Sequence, residues 1–285
     1  MKKTILYAFL LLTLSCGNSD NGAEILRLET LHQEQPTIEI KKQLVAAYQD
    51  FINNTEDKTK SATYSNQLAK IQKALNQHQK AVTTVASLTN AIKNNSANGI
   101  STENIQMIST LLLNQVHAHN PKEAFSQFAA LFPDQESMKA QTSNIIINLK
   151  NTMLNTNTSK WDGAKVNDYI SLSRMYGGIM PRDSNSRAYL YKAAEIANAL
   201  GKHPQAILIY DAMLADKESF TDTAKTLFLK AYTLDDYYKK YDEAKVLYEK
   251  VVAEHPESKF AESAKASINF LGKSPEEILK SFEKK

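Results

Sequence analysis

The sequence predicts an all-α protein, an α/α superhelical solenoid of stacked helical hairpins, and three observations carry that expectation. With 42% hydrophobic residues over 285 positions the chain can bury a sizeable core, yet 8 glycines and 7 prolines are few for the turns of an all-β fold. Pro36, Pro121, Pro133, Pro181, Pro204, Pro256 and Pro275 all fall where a helix is expected to start or stop, and none interrupts an apolar stripe. Finally, a small residue followed about one turn later by a large one recurs along the chain. The pairs are Ala81 with Val85, Ala124 with Phe128, Ala164 with Tyr169, Ala206 with Tyr210 and Ala244 with Tyr248, at intervals of 38 to 43 residues. That interval suits a pair of helices whose shared apolar face must be covered by a neighbouring pair.

Taken in order, residues 16–23 form a polar tether, and Glu24 to Gln33 carries Ile25, Leu28 and Leu31 at helical spacing. Pro36 ends that helix. Ile40, Leu44, Ala47 and Phe51 mark the next one, closed by Asn53-Asn54, and this pair caps the N-terminal end of the array. Residues 61–93 read as a hairpin with Leu68-Ala69 and Ala81 at its crossings and a turn near Asn76-Gln77-His78, followed by a break at Asn94 to Gly99. Ile105, Ile108, Leu111, Leu112 and Val116 define the following helix. Asn120-Pro121-Lys122-Glu123 then starts another, with Asn as N-cap, Pro at the first helical position and Glu at the third. Ile145-Ile146-Ile147 has the β-branched look of a strand, but the apolar set from Met138 to Leu154 runs over more than four turns, so a helix is expected from Ser137 to Asn155. Trp161 should open the next helix as a packing anchor. Gly177-Gly178 to Asp183 is the longest glycine-bearing connection and is expected to be a hinge or sub-array boundary.

Two hairpins follow, at 186–214 and 224–254. A helix from Glu257 to Leu271 stops at Gly272, and Ser274-Pro275-Glu276-Glu277 is a capping box that opens a short terminal helix. The expected division is therefore a signal peptide at 1–15, the tether at 16–23, degenerate hairpins at 24–183, better-formed hairpins with a solvating helix at 184–272, and the terminal helix at 273–285.

The segment from Thr226 through Ala231 and Tyr232, then Ala244 and Tyr248 to Pro256, resembles one tetratricopeptide repeat. Such a repeat places small residues where its two helices cross, a ring four residues after the second, and a proline past the end. The turn at Tyr237 to Tyr241 holds about one residue more than the usual 34-residue unit and lacks its glycine, which reads as a lengthened first helix. The last third of the chain is similar to the ending of tetratricopeptide lipoproteins of Bacteroidota, and more distantly to the helical lipoprotein of outer-membrane barrel assembly and the Tol-Pal coordinator protein. The resemblance implies a fold and a compartment; it does not imply a particular partner.

Met1-Lys2-Lys3 followed by the apolar run Ile5 to Leu14 has the form of a secretory signal, too short for a resident membrane span. Leu12-Thr13-Leu14-Ser15-Cys16-Gly17 resembles a bacterial lipobox, with Thr13 where leucine is usual. Cys16 is the sole cysteine, so an intrachain disulfide is excluded by counting and lipidation at Cys16 is the expectation. Gly17 in place of an aspartate implies, by the same resemblance, sorting to the outer membrane. Surface-exported lipoproteins of the type it resembles carry an acidic run after the cysteine, so a tether with Asp20 as its single aspartate implies, by that resemblance, the periplasmic face over the cell surface.

The formal charge is +3, two units of which leave with Lys2 and Lys3. Only four arginines occur, and lysines are interspersed with glutamates, so no nucleic-acid partner is expected. His117 and His119 stand two apart, which on a helix points their rings about 200° from one another, and no metal is expected. No motif for covalent catalysis or phosphate cradling is present, no cofactor is expected, and the chain reads as a non-enzyme. The carboxylate pair Asp235-Asp236 fits a solvated groove edge better than an acid-base pair.

Two functions remain. One is an outer-membrane-anchored scaffold that binds another envelope protein, or a peptide segment of one, in its concave groove. The other is a glycan- or nutrient-binding lipoprotein of an uptake system, disfavoured by the single tryptophan. Helical geometry selects the groove residues as those one, four and five places from the first-helix crossings: Tyr191, Glu195 and Asn198 in one hairpin, Lys225, Phe228, Tyr232 and Asp235 in the next. Rings interleaved with charges and an amide are the mixture used for recognising an extended segment. Phe228 and Tyr232 could equally pack against the following helix pair.

Overall fold

The computed structural model describes residues 21–94, 101–117, 120–215, 222–274, 276–277 and 279–280. The signal, Cys16, most of the tether, His119, Pro275 and the final lysines lie outside the described residues. Those described form an all-α array of helical hairpins with one two-residue strand pair. The helices are α1 (Asn21–Glu34), α2 (Ile38–Asn54), α3 (Lys58–Ala74), α4 (His78–Asn94), α5 (Thr102–Leu111), α6 (Pro121–Ala129), α7 (Gln135–Thr152), α8 (Gly163–Ile179), α9 (Ser184–Ala199), α10 (His203–Ala215), α11 (Thr223–Asp236), α12 (Tyr241–Glu254) and α13 (Lys259–Phe270). The chain divides into two compact units, Met1–Thr84 and Val85–Lys285, with the division inside α4.

In the first unit, Ile25 and Leu28 of α1 pack with Leu44 and Tyr48 of α2 and Leu68 of α3. The Tyr48 ring stacks on Tyr64 at 5.4 Å, and its hydroxyl donates to Glu29 Oε1 at 2.7 Å. The phenol therefore enters the core without leaving a buried hydroxyl unsatisfied. Thr37 and Asp57 cap α2 and α3 as acceptors for Ile40 and Lys60 N–H. Asn76, at φ 58°, turns the chain towards α4.

In the second unit, consecutive helices from α7 to α13 pack on one another, and α8 also contacts α5 and α6. Ala124, Phe128, Ala206, Tyr210, Ala244 and Tyr248 are buried, as their spacing predicts. Ala164 is not; it is exposed at the start of α8. The reason is that α8 is buried nearly all round, from Val166 to Gly177, and a helix without a wet side offers no stripe from which to read register. Its close approaches use glycine. A Cβ on Gly177 would lie 2.6 Å from Leu190 of α9, and one on Gly178 would lie 2.2 Å from the Phe125 ring of α6. The expected hinge at Gly177-Gly178 is thus helix interior, kept bare so that neighbours can seat against it.

Other local departures have similarly direct causes. After Leu111 the helix widens into a π-helical turn, Leu112–Val116, closed by His117 N–H donating to the Leu112 carbonyl at 2.8 Å. Leu111, Leu112 and Leu113 are all buried. In an α-helix three consecutive side chains sweep about 200°, so the wider turn helps all three find cover. Trp161 precedes α8, pairs with Leu154 in the short strand ladder and is 38% exposed, so it anchors no helix. Ile145 to Leu149 is helical as predicted. The extra residue after α11 lies in the turn itself: Lys239 takes the left-handed conformation at φ 54°, and Lys240 N–H closes onto the Leu234 carbonyl at 2.9 Å. Helix α11 is therefore not lengthened. Gly272, at φ 71°, follows α13, and Ser274 and Glu277 exchange the two hydrogen bonds of a capping box.

Asp183 ties three helices together. It caps α9 through Asn185 N–H at 3.0 Å, accepts from the Tyr176 hydroxyl of α8 at 2.8 Å and pairs with Lys139 of α7 at 2.9 Å. Burial pushes its carboxyl up, but the Lys139 ammonium and these donors outweigh burial and hold it below the usual range.

Two predictions follow from this packing. Gly177→Ala gains about 1 kcal/mol of helix propensity but overpacks buried Leu190 by about 1 to 3 kcal/mol, so its urea midpoint should fall. Gly178→Ala meets only the tip of the half-buried Phe125 ring, which can swing aside, and should cost less than Gly177→Ala. For Asp183 the folded carboxyl is depressed, so its stabilisation is complete above the ordinary aspartate value of about 4 and is lost as pH falls through the folded value. The gap in urea midpoint between wild type and Asp183→Asn should be widest near neutrality and close on acidification below that value; a constant gap would refute the assignment.

Candidate functional site

Helices α9 and α11 lie side by side, and two polar rungs join them. The Tyr191 hydroxyl meets Thr226 Oγ1 at 2.6 Å, and Asn198 Nδ2 donates to Thr233 Oγ1 at 2.9 Å, each pair separated by 35 residues. On each helix the two rung residues are seven apart, two turns along one face. Thr226 and Thr233 are buried and donate their own hydroxyl protons back to the carbonyls of Asp222 and Leu229, at 3.0 and 2.9 Å. Thr233 Oγ1 is thereby left as an acceptor aimed at α9, while the Tyr191 hydroxyl also lies 3.1 Å from the Asp222 carbonyl, so Tyr191 and Thr226 share that acceptor. Burial of the Tyr191 ring pushes its phenol up to about 12, so it remains a protonated donor. Tyr191 and Asn198, expected to line a groove, are consequently committed to holding two helices together.

The other expected residues separate by small differences in helical angle. Phe228 turns towards the following helices, with its ring 5.5 Å from both Tyr248 and Phe260, and joins their core. Asp235 turns the same way and accepts from the Tyr248 hydroxyl at 3.4 Å. Lys225 remains on the open face, its ammonium 3.8 Å above the Tyr191 ring. Glu195 is exposed and pairs with Lys192 at 2.7 Å, which contributes little in solvent. Tyr232 is 43% exposed, one residue from buried Ala231 and Thr233.

Around Tyr232 the fold assembles residues that helical periodicity did not select. Tyr237 and Tyr238, in the turn after α11, are 42% and 38% exposed. His203, at the start of α10, stacks on Tyr237 at 3.9 Å and meets Tyr238 edge-on at 6.1 Å. Its Nδ1 lies 3.2 Å from Asn198 Oδ1, so the second rung also positions the imidazole. Tyr232 and Tyr237 stand perpendicular, at 89° with centroids 6.3 Å apart, and form a corner open to solvent. Beside the corner lie Asp235 and Asp236. Burial pushes the Asp235 carboxyl up, with the Tyr248 hydroxyl opposing, while burial and then the neighbouring Asp236 charge push the Tyr232 phenol up. Asp236 reaches Lys239 only at 3.9 Å, with both side chains well exposed. The signal that could have pointed here was compositional: three tyrosines at 237, 238 and 241 crowd one turn.

Among the described residues no cluster of side chains could hold a metal ion, and no helix is long and apolar enough to cross a membrane.

The rung chemistry predicts a measurable coupling. Tyr191→Phe and Thr226→Val should each destabilise the protein, and in a double-mutant cycle their effects should be non-additive by about 0.5 to 1.5 kcal/mol. Strict additivity of the urea-derived values would show that the hydroxyls do not interact.

Compared with known proteins, the chain matches no family model and no curated protein.

Proposed function

We propose that this chain is an interaction scaffold, a tetratricopeptide-like lipoprotein tethered to the outer membrane through Cys16, that docks a segment of another envelope protein on the open face of α9 and α11. The observation that carries this reading is the exposed aromatic group of Tyr232, Tyr237 and Tyr238, held in place by His203. Tyrosines present large contact area at low entropic cost, because each ring has few rotatable bonds and these are already braced by neighbours. Three of them side by side on a rigid helical edge, with carboxylates adjoining, match the composition of interaction hot spots.

Tethering rests on the Leu14-Ser15-Cys16 pattern after the apolar run. Each methylene of an attached acyl chain contributes about 0.8 kcal/mol of membrane affinity, so two or three chains hold the protein permanently. The periplasmic face of the outer membrane remains the reading of the tether. The glycan alternative is less favoured because the tyrosines adjoin the carboxylates of Asp235 and Asp236, whose charges a neutral sugar does not answer.

The experiment is photo-crosslinking in cells, from a benzophenone amino acid at position 238, in place of one of the exposed rings, with membrane fractionation. One envelope protein should be captured, and capture should be lost in Tyr232→Ala/Tyr237→Ala while the melting temperature moves by only a few degrees. Cys16→Ala should release the protein from membranes. Undiminished capture in the double variant refutes the docking surface; undiminished membrane retention, with no lipid mass on the wild-type N-terminus, refutes the anchor.

A further inference from the structure

The corner between Tyr232 and Tyr237 has a chemistry more specific than aromatic adhesion. Its walls are the ring of Tyr232 and the perpendicular ring of Tyr237, and its rim carries Asp235 and Asp236. Asp235 forms no ion pair among the described residues; its one hydrogen bond, from Tyr248, is long at 3.4 Å. The contact of Asp236 with Lys239 sits at the 3.9 Å edge of ion-pair distance, with the lysine side chain 62% and the aspartate 45% exposed, so it competes weakly with an incoming cation. The electron-rich ring faces and the adjoining carboxylates both attract positive charge. The same surface already displays half of this arrangement: Lys225 Nζ rests 3.8 Å above the ring of Tyr191.

We infer that the Tyr232–Tyr237 corner, with Asp235 and Asp236 at its rim, receives a basic side chain from an extended segment of the docked protein, arginine in preference to lysine. The preference follows from shape. A guanidinium is planar, stacks against a ring and forks two N–H groups towards a carboxylate, whereas an ammonium is a strongly hydrated point charge. A neutral sugar would gain from the ring faces but not from the two carboxylate charges. This inference rests on the docking surface proposed above.

Lys239 supplies an internal control. It holds φ 54°, a conformation glycine adopts without strain, and its ammonium is the cation nearest Asp236. Lys239→Gly should relieve backbone strain and remove the competitor together.

The test is a titration of the whole protein labelled with 3-fluorotyrosine, read by fluorine NMR, with the blocked peptide acetyl-Gly-Arg-Gly-Arg-Gly-amide as probe. The same peptide carrying citrulline for arginine, and maltopentaose, serve as comparisons. The Tyr232 and Tyr237 resonances should shift and saturate with the arginine peptide. Citrulline should bind at least tenfold more weakly, Asp235→Asn/Asp236→Asn should lose a similar factor, and Lys239→Gly should bind severalfold more tightly. Absence of binding by the arginine peptide, equal binding of the citrulline peptide, or preference for maltopentaose overturns the inference. If the peptide fails while crosslinking in cells still depends on Tyr232 and Tyr237, the docking surface stands and only the arginine specificity falls. If the peptide binds and crosslinking does not depend on them, the converse holds.

Discussion

The second unit depends on how closely its helices can approach. A helix pair buries one shared face and leaves the next in water, so each pair is stable only against a neighbour, and the neighbour can come close only where side chains are small. Ala193, Ala194, Ala197, Ala206, Ala231, Ala244, Ala261 and Ala264 are essentially without solvent exposure, and Gly177 extends the same solution into α8. The volume left beside these crossings is filled by long rings, Tyr169, Tyr176, Tyr210 and Tyr248. Small residue and ring are therefore one device. The first permits contact, and the second fills the space that contact leaves at native packing density.

Filling a core with tyrosine brings hydroxyls inside, and the fold answers three of them with a partner from another helix. Tyr48 finds Glu29, Tyr176 finds Asp183, and Tyr248 reaches Asp235. These bonds add directional information to an otherwise non-directional apolar contact. A neighbouring helix that slid by one residue would keep most of its apolar burial and lose the hydroxyl's partner. Asp183 has the largest share of this duty, because cap, phenol acceptor and ion pair converge on one carboxylate.

Much of this was legible in the sequence. The helix starts at Asn120 and Ser274 follow from capping chemistry, which is local, and the Ala206 and Ala244 crossings follow from periodicity on two-sided helices. What escaped had physical reasons. Helix α8 has no solvent side, so spacing points to Ala164 where Gly177 provides the close approach. The groove residues were chosen by angle alone, and Phe228 and Tyr232 differ on that wheel by only about 40°, one facing a core and the other water. The Tyr237-Tyr238 pair lies in a turn, where periodicity has nothing to say, and only tertiary structure brings His203 to it. The 35-residue step of the rungs was hidden for a related reason. Equivalent residues of adjacent hairpins stand 38 apart, as Ala206 and Ala244 do, but the two partners of a rung are not equivalent positions, and three residues fewer separate them.

The threonine acceptors of α11 differ from most buried polar groups in one respect. Because Thr226 and Thr233 give their protons to their own helix, departure of Tyr191 and Asn198 would strand no buried donor on α11, and the α9 side chains would find water at once. The rungs therefore set the register of α9 against α11 and add little resistance to parting; what holds the two hairpins together is the apolar packing of α10 on α11, where Ile207 and Leu214 meet the cluster of Leu227 and Ala231.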